Sequence, residues 1–387
     1  MFADSRENGY CDMKNGIINV YKERGFTSFD VVAKLRGILH EKKIGHTGTL
    51  DPDATGVLPV CVGNATKVCA LLTDKDKVYE TVMHLGLTTD TLDASGTVLE
   101  DCSSAAVELS EETVRDVILQ FVGTYDQVPP MYSALKVNGK KLCDLARAGV
   151  TVERKARTVT IFSIDITKME LPLVTMRVHC SKGTYIRSLC ADIGERLGVG
   201  GRMDSLVRTR VSAFTLDNAH TLTEIEAYRD REALDEIMMP VDTVFEGLPK
   251  RQVKPEAVRL LQNGNRLSER DICAYICVDM PAEGACEADE AYAVGGRNGA
   301  EEPGASCVCN SVEEPGASCV CNSVKEPGSS CVCNSAEELG SVDTRMNEMD
   351  QDTQKGWVLM YDDQGIFRAV YQHLPEAGEY KPVKMFL

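Results

Sequence analysis

A stretch of fifteen residues, 45–59, with the sequence GHTGTLDPDATGVLP, constrains the fold of this chain most strongly. Its three glycines and two prolines disfavour both a regular helix and a central strand, so it predicts a loop. Apolar residues dominate from Val57 onwards, which predicts that the loop leads into a buried strand. Loops fixed to a buried scaffold commonly carry functional residues, and this one directs attention to Asp51.

Size and charge limit the class of protein. The 387 residues, 43% hydrophobic and 26% charged, suffice for a globular chain of two or three domains. Residues 281–355 hold 15 acidic and 4 basic side chains, so the rest of the chain carries only −6 of the net charge of −17. A nucleic-acid partner is therefore not excluded. The sequence shows neither a run long enough to span a bilayer nor the apolar core of a signal peptide, so we expect a cytoplasmic protein with no membrane partner.

The sixteen cysteines include six in a repeat of period twelve that runs over residues 301–336. Each of the three copies carries one Cys-Val-Cys among proline, glycine, serine and glutamate, a composition that predicts disorder. Thiolate binding of zinc or copper(I) is the alternative, but one-residue spacing without histidine is not the usual zinc-finger spacing. We therefore expect a disordered acidic insertion at 281–355 and no metal site. The other ten cysteines are predicted to be buried singly.

The apolar pattern predicts an α+β fold with a mostly antiparallel sheet. We expect a flexible N-terminus at 1–15, a catalytic domain at 16–248 and a small β-rich domain at 249–387 that the insertion interrupts. Helices are predicted to start at caps Ser28, Ser110 and Thr184, the last with Arg187 in its first turn. Strands are predicted at 16–22, 79–87, 174–180, 272–278, 356–361, 367–371 and 382–386, and another follows the opening loop and ends at Val62. Short helices are predicted at 64–72 and 254–262.

Two interpretations of Asp51 rest on the residues around it alone, without any resemblance to a protein family. Residues 51–55, DPDAT, fit the D-x-D-x-T pattern of phosphatases that form an aspartyl phosphate beside magnesium. In those phosphatases a buried strand leads directly into the first aspartate. In this sequence a glycine-containing segment, not a strand pattern, precedes Asp51. The simpler alternative is an aspartate that caps a turn bent by Pro52.

Four motifs in order resemble the TruB family, the tRNA pseudouridine-55 synthases. The first is the opening loop with GNATK at 63–67. The second is Tyr79 followed by TDT at 89–91 and DASG at 93–96. The third and fourth are VPPMYSALK at 128–136 with GKK at 139–141, and CSKGTYIRSL at 180–189. The resemblance covers about residues 16–245. Residues 249–387 more loosely resemble the PUA-like RNA-binding module of bacterial members, from which the acidic insertion departs.

The resemblance implies a pseudouridine synthase fold, with a mixed, mostly antiparallel sheet flanked by helices and a small β-rich PUA-like C-terminal domain. It also implies that the uridine of the tRNA T-loop, position 55, is flipped out and isomerised without a cofactor or metal. Asp51 matches the nucleophile, which attacks either C1′ of the ribose or C6 of the base. Tyr79 matches the residue that stacks on the base and is a candidate for proton removal from C5. Arg187 matches the basic partner expected to lower the pKa of Asp51.

Further residues are candidates for binding substrate. By the resemblance, His46 contacts the T-loop and Tyr185 lines the pocket. Three lysines are candidates for phosphate contacts: Lys22, Lys67 and Lys136. Leu206 is a further candidate for binding substrate. Asp90 and Asp93 are expected to be loop-capping acids, and Asp53 is given no role. The partner is predicted to be the T-arm of tRNA, bound by a monomer. A non-catalytic tRNA-binding or folding helper is the alternative, which the joint presence of Asp51, Tyr79 and Arg187 disfavours.

Overall fold

The computed structural model describes residues 15–273 and 356–387. The predicted flexible N-terminus, except for Asn15, and the predicted disordered insertion with its cysteine repeats lie outside the described residues, as does most of the strand predicted at 272–278. Proposals about those segments remain predictions.

The first part of the chain alternates strands with short helices. Its strands are β1 Gly16–Lys22, β2 Ile44–His46, β3 Thr55–Val62, β4 Lys77–Leu85, β5 Leu87–Thr89, β6 Val98–Asp101, β7 Gly123–Gln127, β8 Lys136–Val137, β9 Lys140–Lys141, β10 Arg157–Glu170, β11 Leu173–Cys180, β12 Gly201–Val211, β13 Phe214–Thr215 and β14 Met238–Met239. Its α-helices are α1 Ser28–Leu39, α2 Cys69–Thr73, α3 Ser103–Val107, α4 Glu111–Leu119, α5 Leu142–Arg147, α6 Ile186–Arg196 and α7 Leu222–Asp230. Short 3₁₀ helices lie at Gly63–Val68, Leu216–Asn218, Leu234–Glu236 and Val241–Phe245.

One large sheet organises these elements. Its order is β14-β1-β3-β12-β4-β11-β10-β7, with β2 added beside β3 and β13 beside β12. The pairs are antiparallel except where β3 runs parallel to β12, at Thr55 and Gly56 against Val207 and Arg208. This confirms the predicted α+β fold with a mixed, mostly antiparallel sheet.

Two apolar clusters pack helices against this sheet. One joins β4, β10, β11 and β12 to α4 and α6, with Ile118 and Leu189 fully buried. The other joins β1 and β3 to α1 and α7, with Leu35 and Ile225 fully buried. The loop between β2 and β3 connects the two clusters, because its Leu50 belongs to the first cluster while β3 continues into the second. The loop is therefore anchored from both sides.

Two predicted helix caps are wrong by one residue. Thr27, not Ser28, caps α1: its hydroxyl accepts from Asp30 N, and the Asp30 carboxylate accepts from Thr27 N at 2.8 Å. Tyr185 precedes α6 without a side-chain cap, and the hydroxyl of Thr184 donates to Ser181 O at 2.9 Å. The cap predicted at Ser110 is confirmed.

A second, five-stranded sheet follows in the C-terminal part, in the order β15-β17-β18-β19-β16. Its elements are β15 Lys250–Gln252, α8 Val258–Gln262, β16 Leu267–Ser268, β17 Trp357–Tyr361, β18 Phe367–Leu374 and β19 Glu379–Met385, with 3₁₀ turns at Pro255–Ala257, Glu269–Asp271 and Pro375–Ala377. Val253, Leu261 and Tyr371 are fully buried in its core. The β-rich character agrees with the predicted PUA-like domain, whose exact boundaries stay a prediction.

The C-terminal strand reaches back to the turn that carries the GNATK motif. The ammonium group of Lys67 donates to Met385 O at 2.8 Å, and that of Lys384 donates to Lys67 O at 2.8 Å.

Among the described residues, no helix is both long and apolar enough to cross a membrane.

Candidate active site

The loop that carries Asp51 is held by hydrogen bonds at several points. The hydroxyl of Ser28, at the start of α1, accepts from Leu50 N at 2.9 Å. The ammonium group of Lys22 donates to Pro52 O at 3.0 Å and to Ala54 O at 2.6 Å, one on each side of Asp53. These bonds fix the backbone directly before and after Asp51.

Arg187 faces Asp51 from the first turn of α6. Its Nε lies 3.0 Å from Asp51 Oδ2 and its Nη2 lies 3.1 Å from Asp51 Oδ1, which is the two-point geometry of a guanidinium on a carboxylate. The same side chain donates to Tyr132 O at 2.8 Å and to Thr91 O at 3.1 Å. Its Nη1 lies 3.6 Å from Asp93 Oδ2. With its side chain only 5% exposed, Arg187 is held between two carboxylates and two carbonyl groups.

The electrostatic effect on Asp51 differs from the expectation. Burial raises the pKa of Asp51, Arg187 lowers it, and the nearby Asp93 raises it. Arg187 thus lowers the pKa of Asp51 as predicted, but burial outweighs it and the net result is a raised pKa. The reason is that the walls of the site remove water from the carboxylate more effectively than a guanidinium shared with Asp93 can compensate.

A cavity of about 570 Å³ opens over this pair. Asp51 and Arg187 lie at its base, and the backbone of residues 132–134 and residues 203–206 forms two of its walls. Leu206, a predicted substrate contact, lines it and is 8% exposed. Arg24 and Arg147 lie at its rim as exposed cations. The cavity is thus apolar and acidic inside and basic at its mouth.

The three predicted aromatic and imidazole residues lie around the cavity and not among its lining residues. Tyr79, on β4, is 9% exposed, and burial raises its pKa. Tyr185 is half-buried, and burial raises its pKa as well. The Nδ1 atom of His46 accepts from Gly48 N at 3.3 Å, and burial together with Arg208 lowers the pKa of His46. His46 is therefore a neutral ring that shapes the loop.

The predicted lysines are dispersed. Lys22 is fully buried and gives all three ammonium protons to carbonyl groups, those of Glu23, Pro52 and Ala54. The structure therefore contradicts a phosphate contact by Lys22, whose role is to support the loop. Lys67 and Lys136 are exposed and do not line the cavity.

Sequence reasoning assigned no catalytic role to three residues that the structure brings to the site. Asp93 binds Arg187 in addition to accepting hydrogen bonds from Thr91 and Ser95 within its own loop. Gln127 is 1% exposed and clamps the backbone of Tyr185, accepting from its N at 2.8 Å and donating to its O at 3.0 Å. The third, Arg208, is fully buried beside Tyr79.

The chemistry available here is that of a carboxylate nucleophile oriented by a guanidinium. The phosphatase interpretation required a strand running directly into Asp51, whereas β2 ends at His46. Asp53, its second aspartate, pairs with Arg24 at 3.2 Å on the exposed rim. In the part of the chain that the structure describes, no group of three or more histidine, cysteine or carboxylate side chains is arranged to hold a metal ion.

Comparison with known proteins agrees with this geometry. The family model described as "TruB family pseudouridylate synthase (N terminal domain)" matches residues 36–186, and "tRNA pseudouridylate synthase B C-terminal domain" matches residues 187–246. A protein of Lachnoclostridium phytofermentans named tRNA pseudouridine synthase B is 62% identical over 263 residues, which cover 66% of this chain and 85% of that protein. A protein of the same name from Alkaliphilus oremlandii is 47% identical over 253 residues, 65% of this chain and 83% of that protein.

Solved structures share the fold. A chain from a "Cbf5-Nop10-Gar1 Complex" superposes with a TM-score of 0.57 at 23% identity, covering 96% of this chain and 85% of that one. A chain from an "H/ACA RNP bound to a substrate RNA containing 2'-deoxyuridine" gives a TM-score of 0.56 at 22% identity, covering 96% and 85%. At this identity the likeness is evidence of fold alone. The family match and the identity to the relatives go further, and the chain belongs to the TruB family of pseudouridylate synthases.

Proposed function

We propose that this chain is a tRNA pseudouridine synthase that isomerises the uridine at position 55, in the T-loop of the T-arm. The observation that carries the proposal is the two-point pair of Asp51 and Arg187 at the base of a cavity, in a chain of the TruB family. Relatives at 62% and 47% identity bear the name tRNA pseudouridine synthase B. The enzyme acts as a monomer in the cytoplasm.

The geometry supports a sequence of steps on a flipped-out uridine. A base inside a folded stem-loop cannot reach Asp51 until it leaves its stack, and a cavity of about 570 Å³ lies within the range of small-ligand pockets. The Asp51 carboxylate attacks C1′ or C6, the N1–C1′ bond breaks, and C5 of the reoriented base bonds to C1′. The bond to Asp51 breaks as C5 displaces it from C1′ in the first case, or as the C5=C6 double bond forms again in the second. The proton on C5 is then lost and one returns to N1, so reactant and product have the same atoms and no cofactor is consumed.

The other residues have supporting roles in this proposal. Arg187 orients Asp51 and favours its charged form against the effect of burial. Leu206 contacts the base from the cavity wall. Tyr79, a buried residue of β4, stacks on the base and is the candidate for proton removal from C5. His46 and Tyr185 shape the binding surface; Lys67 and Lys136 are exposed and available for phosphate contacts.

The test is tritium release from a T-arm RNA labelled at C5 of its uridines. We expect Asp51→Asn to lower the single-turnover rate by at least about a thousandfold, because an amide keeps the shape but is not a nucleophile. Binding of the same RNA, measured by filter retention, should change little. Asp53→Asn is the matched control, since Asp53 is two residues away, 57% exposed and paired with Arg24; it should keep near wild-type activity.

Two results would overturn the proposal. Full activity of Asp51→Asn would remove Asp51 from the chemistry. A wild-type protein that binds the RNA but releases no tritium would favour the alternative of a tRNA-binding or folding helper. Replacing the position-55 uridine with cytidine should abolish release from that position, and unchanged release would contradict the proposed target.

A further inference from the structure

Arg208, on β12, is a buried cation without an acidic partner. Its side chain is 1% exposed, and it is the largest fully buried side chain of the described residues. Its Nε donates to Val57 O at 2.8 Å and its Nη2 to Gly48 O at 3.3 Å. Within residues 15–273 and 356–387, no carboxylate lies within ion-pair distance of its guanidinium. Burying a charge in this way is costly, so the position calls for a functional explanation.

Tyr79 is the cross-strand neighbour of this cation. Arg208 and Tyr79 are directly opposite each other in the antiparallel pair of β12 and β4, and both side chains are buried. Directly opposite residues of an antiparallel pair lie on the same face of the sheet, and Arg208 lowers the pKa of Tyr79. Gly56 lets β3 approach β12 closely, since a Cβ atom at this position would lie 2.2 Å from the Arg208 carbonyl oxygen. The Arg208 side chain is therefore packed between Tyr79 and the loop at Gly48.

We propose that Arg208 is a positioning residue for Tyr79: it packs against Tyr79 on the same face of the sheet and stabilises the negative charge that develops on the Tyr79 oxygen as this oxygen removes the proton from C5 of the base. This inference rests on the proposed function. The negative charge on the Tyr79 oxygen would be the partner that the Arg208 guanidinium lacks among the carboxylates of the described residues.

Two lysines near the guanidinium strengthen the positive potential. Lys22 on β1 and Lys77 on β4 each have a pKa lowered first by burial and further by Arg208, to about 8. The pKa of His46 on β2 is lowered by the same two causes, and its neutral ring adds no charge. Negative charge on the Tyr79 oxygen would relieve the repulsion, because it would lie among positive charges.

The remaining groups near the Tyr79 hydroxyl oppose its ionisation. Burial raises the pKa of Tyr79, and the Cys180 thiol on β11 and the Asp51 carboxylate act in the same direction. Arg208 is the neighbour that lowers it. Loss of Arg208 would thus leave Tyr79 a weaker proton acceptor while Asp51 and Arg187 remain in place.

The step balances without any further reactant. Once C5 is bonded to C1′, the Tyr79 oxygen takes the proton from C5 as the Tyr79 hydroxyl passes its own proton on towards N1 of the base. The electron pair of the C5–H bond forms the C5=C6 double bond again and displaces either the C6=N1 electron pair to N1 or Asp51 from C6. Tyr79 is a neutral phenol before and after the step, and Arg208 stabilises the negative charge that develops on its oxygen.

The experiment measures single-turnover rates on a T-arm RNA with hydrogen or deuterium at C5 of the target uridine. We compare wild type, Arg208→Gln and Arg208→Lys, with RNA binding and thermal unfolding recorded for each. Arg210→Gln is the matched control, because Arg210 lies two residues along β12 and bonds to Asp76, away from Tyr79. We expect Arg208→Gln to slow the rate about a hundredfold, as typical for loss of acid–base assistance. The deuterium isotope effect should rise well above the wild-type value, because proton removal becomes slower than glycosidic bond cleavage.

The alternative outcomes are distinguishable. A slower Arg208→Gln with an unchanged isotope effect would overturn the inference, since it would mean that Arg208 only supports the loop at Gly48. If Arg208→Gln does not fold, Arg208→Lys, which keeps the charge, should keep an isotope effect near the wild-type value, and a raised isotope effect there would count against us. Adding Tyr79→Phe to Arg208→Gln should cost little more, as expected for residues acting as a unit. A wild-type protein without tritium release would instead refute the proposed function itself.

Discussion

Replacing Lys22 with methionine tests how the loop that carries Asp51 is supported. Methionine conserves much of the volume, so the change removes mainly the ammonium group and its bonds to Pro52 O at 3.0 Å and Ala54 O at 2.6 Å. Each carbonyl left unpaired in a buried site costs about 1–3 kcal/mol. The cost of burying the ammonium group, which is relieved, offsets part of that. We expect Lys22→Met to lower the free energy of unfolding by about 2 kcal/mol at pH 7.

The shifted pKa of Lys22 also predicts the direction in which the free energy of unfolding changes with pH. Burial lowers the pKa of Lys22 from 10.5 to about 8, so between about pH 8 and pH 10.5 the unfolded chain binds more protons at this residue than the folded one. Stability contributed by Lys22 therefore rises with pH across that window, by about 3 kcal/mol in total at 1.36 kcal/mol per unit. The wild type should gain this increment and Lys22→Met should lack it, so the difference between them widens as the pH rises.

Urea unfolding at pH 7, 8, 9 and 10 measures both quantities. The matched control is Lys168→Met, because Lys168 is 62% exposed and pairs only with Glu170 at 2.9 Å; it should change stability by less than about 1 kcal/mol. Turnover by Lys22→Met should fall as well, since the backbone around Asp51 loses two of its supports. Wild-type stability at pH 7 together with a pH profile parallel to the wild type would refute this reasoning.

Two further predictions concern residues that hold Arg187 and its helix. Asp93→Asn removes the second carboxylate, 3.6 Å from Nη1 of Arg187, and should slow turnover about tenfold with unchanged RNA binding; the exposed Asp90→Asn, in the same loop, should remain near wild type in the tritium-release assay. Gln127→Ala leaves both backbone groups of Tyr185 without their partner, and we expect the free energy of unfolding in urea to fall by about 2 kcal/mol or more; a change below about 0.5 kcal/mol would show that water replaces the amide.

Much of the fold follows from periodicity. Alternation and apolar runs predicted β1 and β11 at nearly their observed bounds, and the end of β3 at Val62. The start of β3 was missed, because the loop was expected over residues 45–59 and β3 begins at Thr55. The hairpin of β5 and β6 was missed because the polar residues of 88–96 look like a simple loop and β6 is fully exposed. The cap at Thr27 was placed at Ser28 because either hydroxyl fits the pattern, and the choice depends on Ser28 turning inward to Leu50.

Residues of the candidate site could be predicted from the sequence only where they belong to a recognisable motif. The resemblance pairs Asp51 with Arg187, and the structure brings them together. The inward direction of Lys22 had a signal that was not used, since Ile18, Val20 and Lys22 alternate along β1 and the first two belong to the buried cluster. Gln127 gave no such signal, because its value lies in contacts with Tyr185, 58 residues further along the chain.

The four partners of Arg187 also affect the thermodynamics of RNA recognition. A free arginine side chain has about 2 kcal/mol of rotamer entropy to lose when it is immobilised. In this protein that entropy is already lost on folding, because carboxylates and carbonyl groups fix the guanidinium without RNA. Docking of a uridine therefore imposes no further ordering cost on Arg187, and more of the contact energy remains for holding the extruded base.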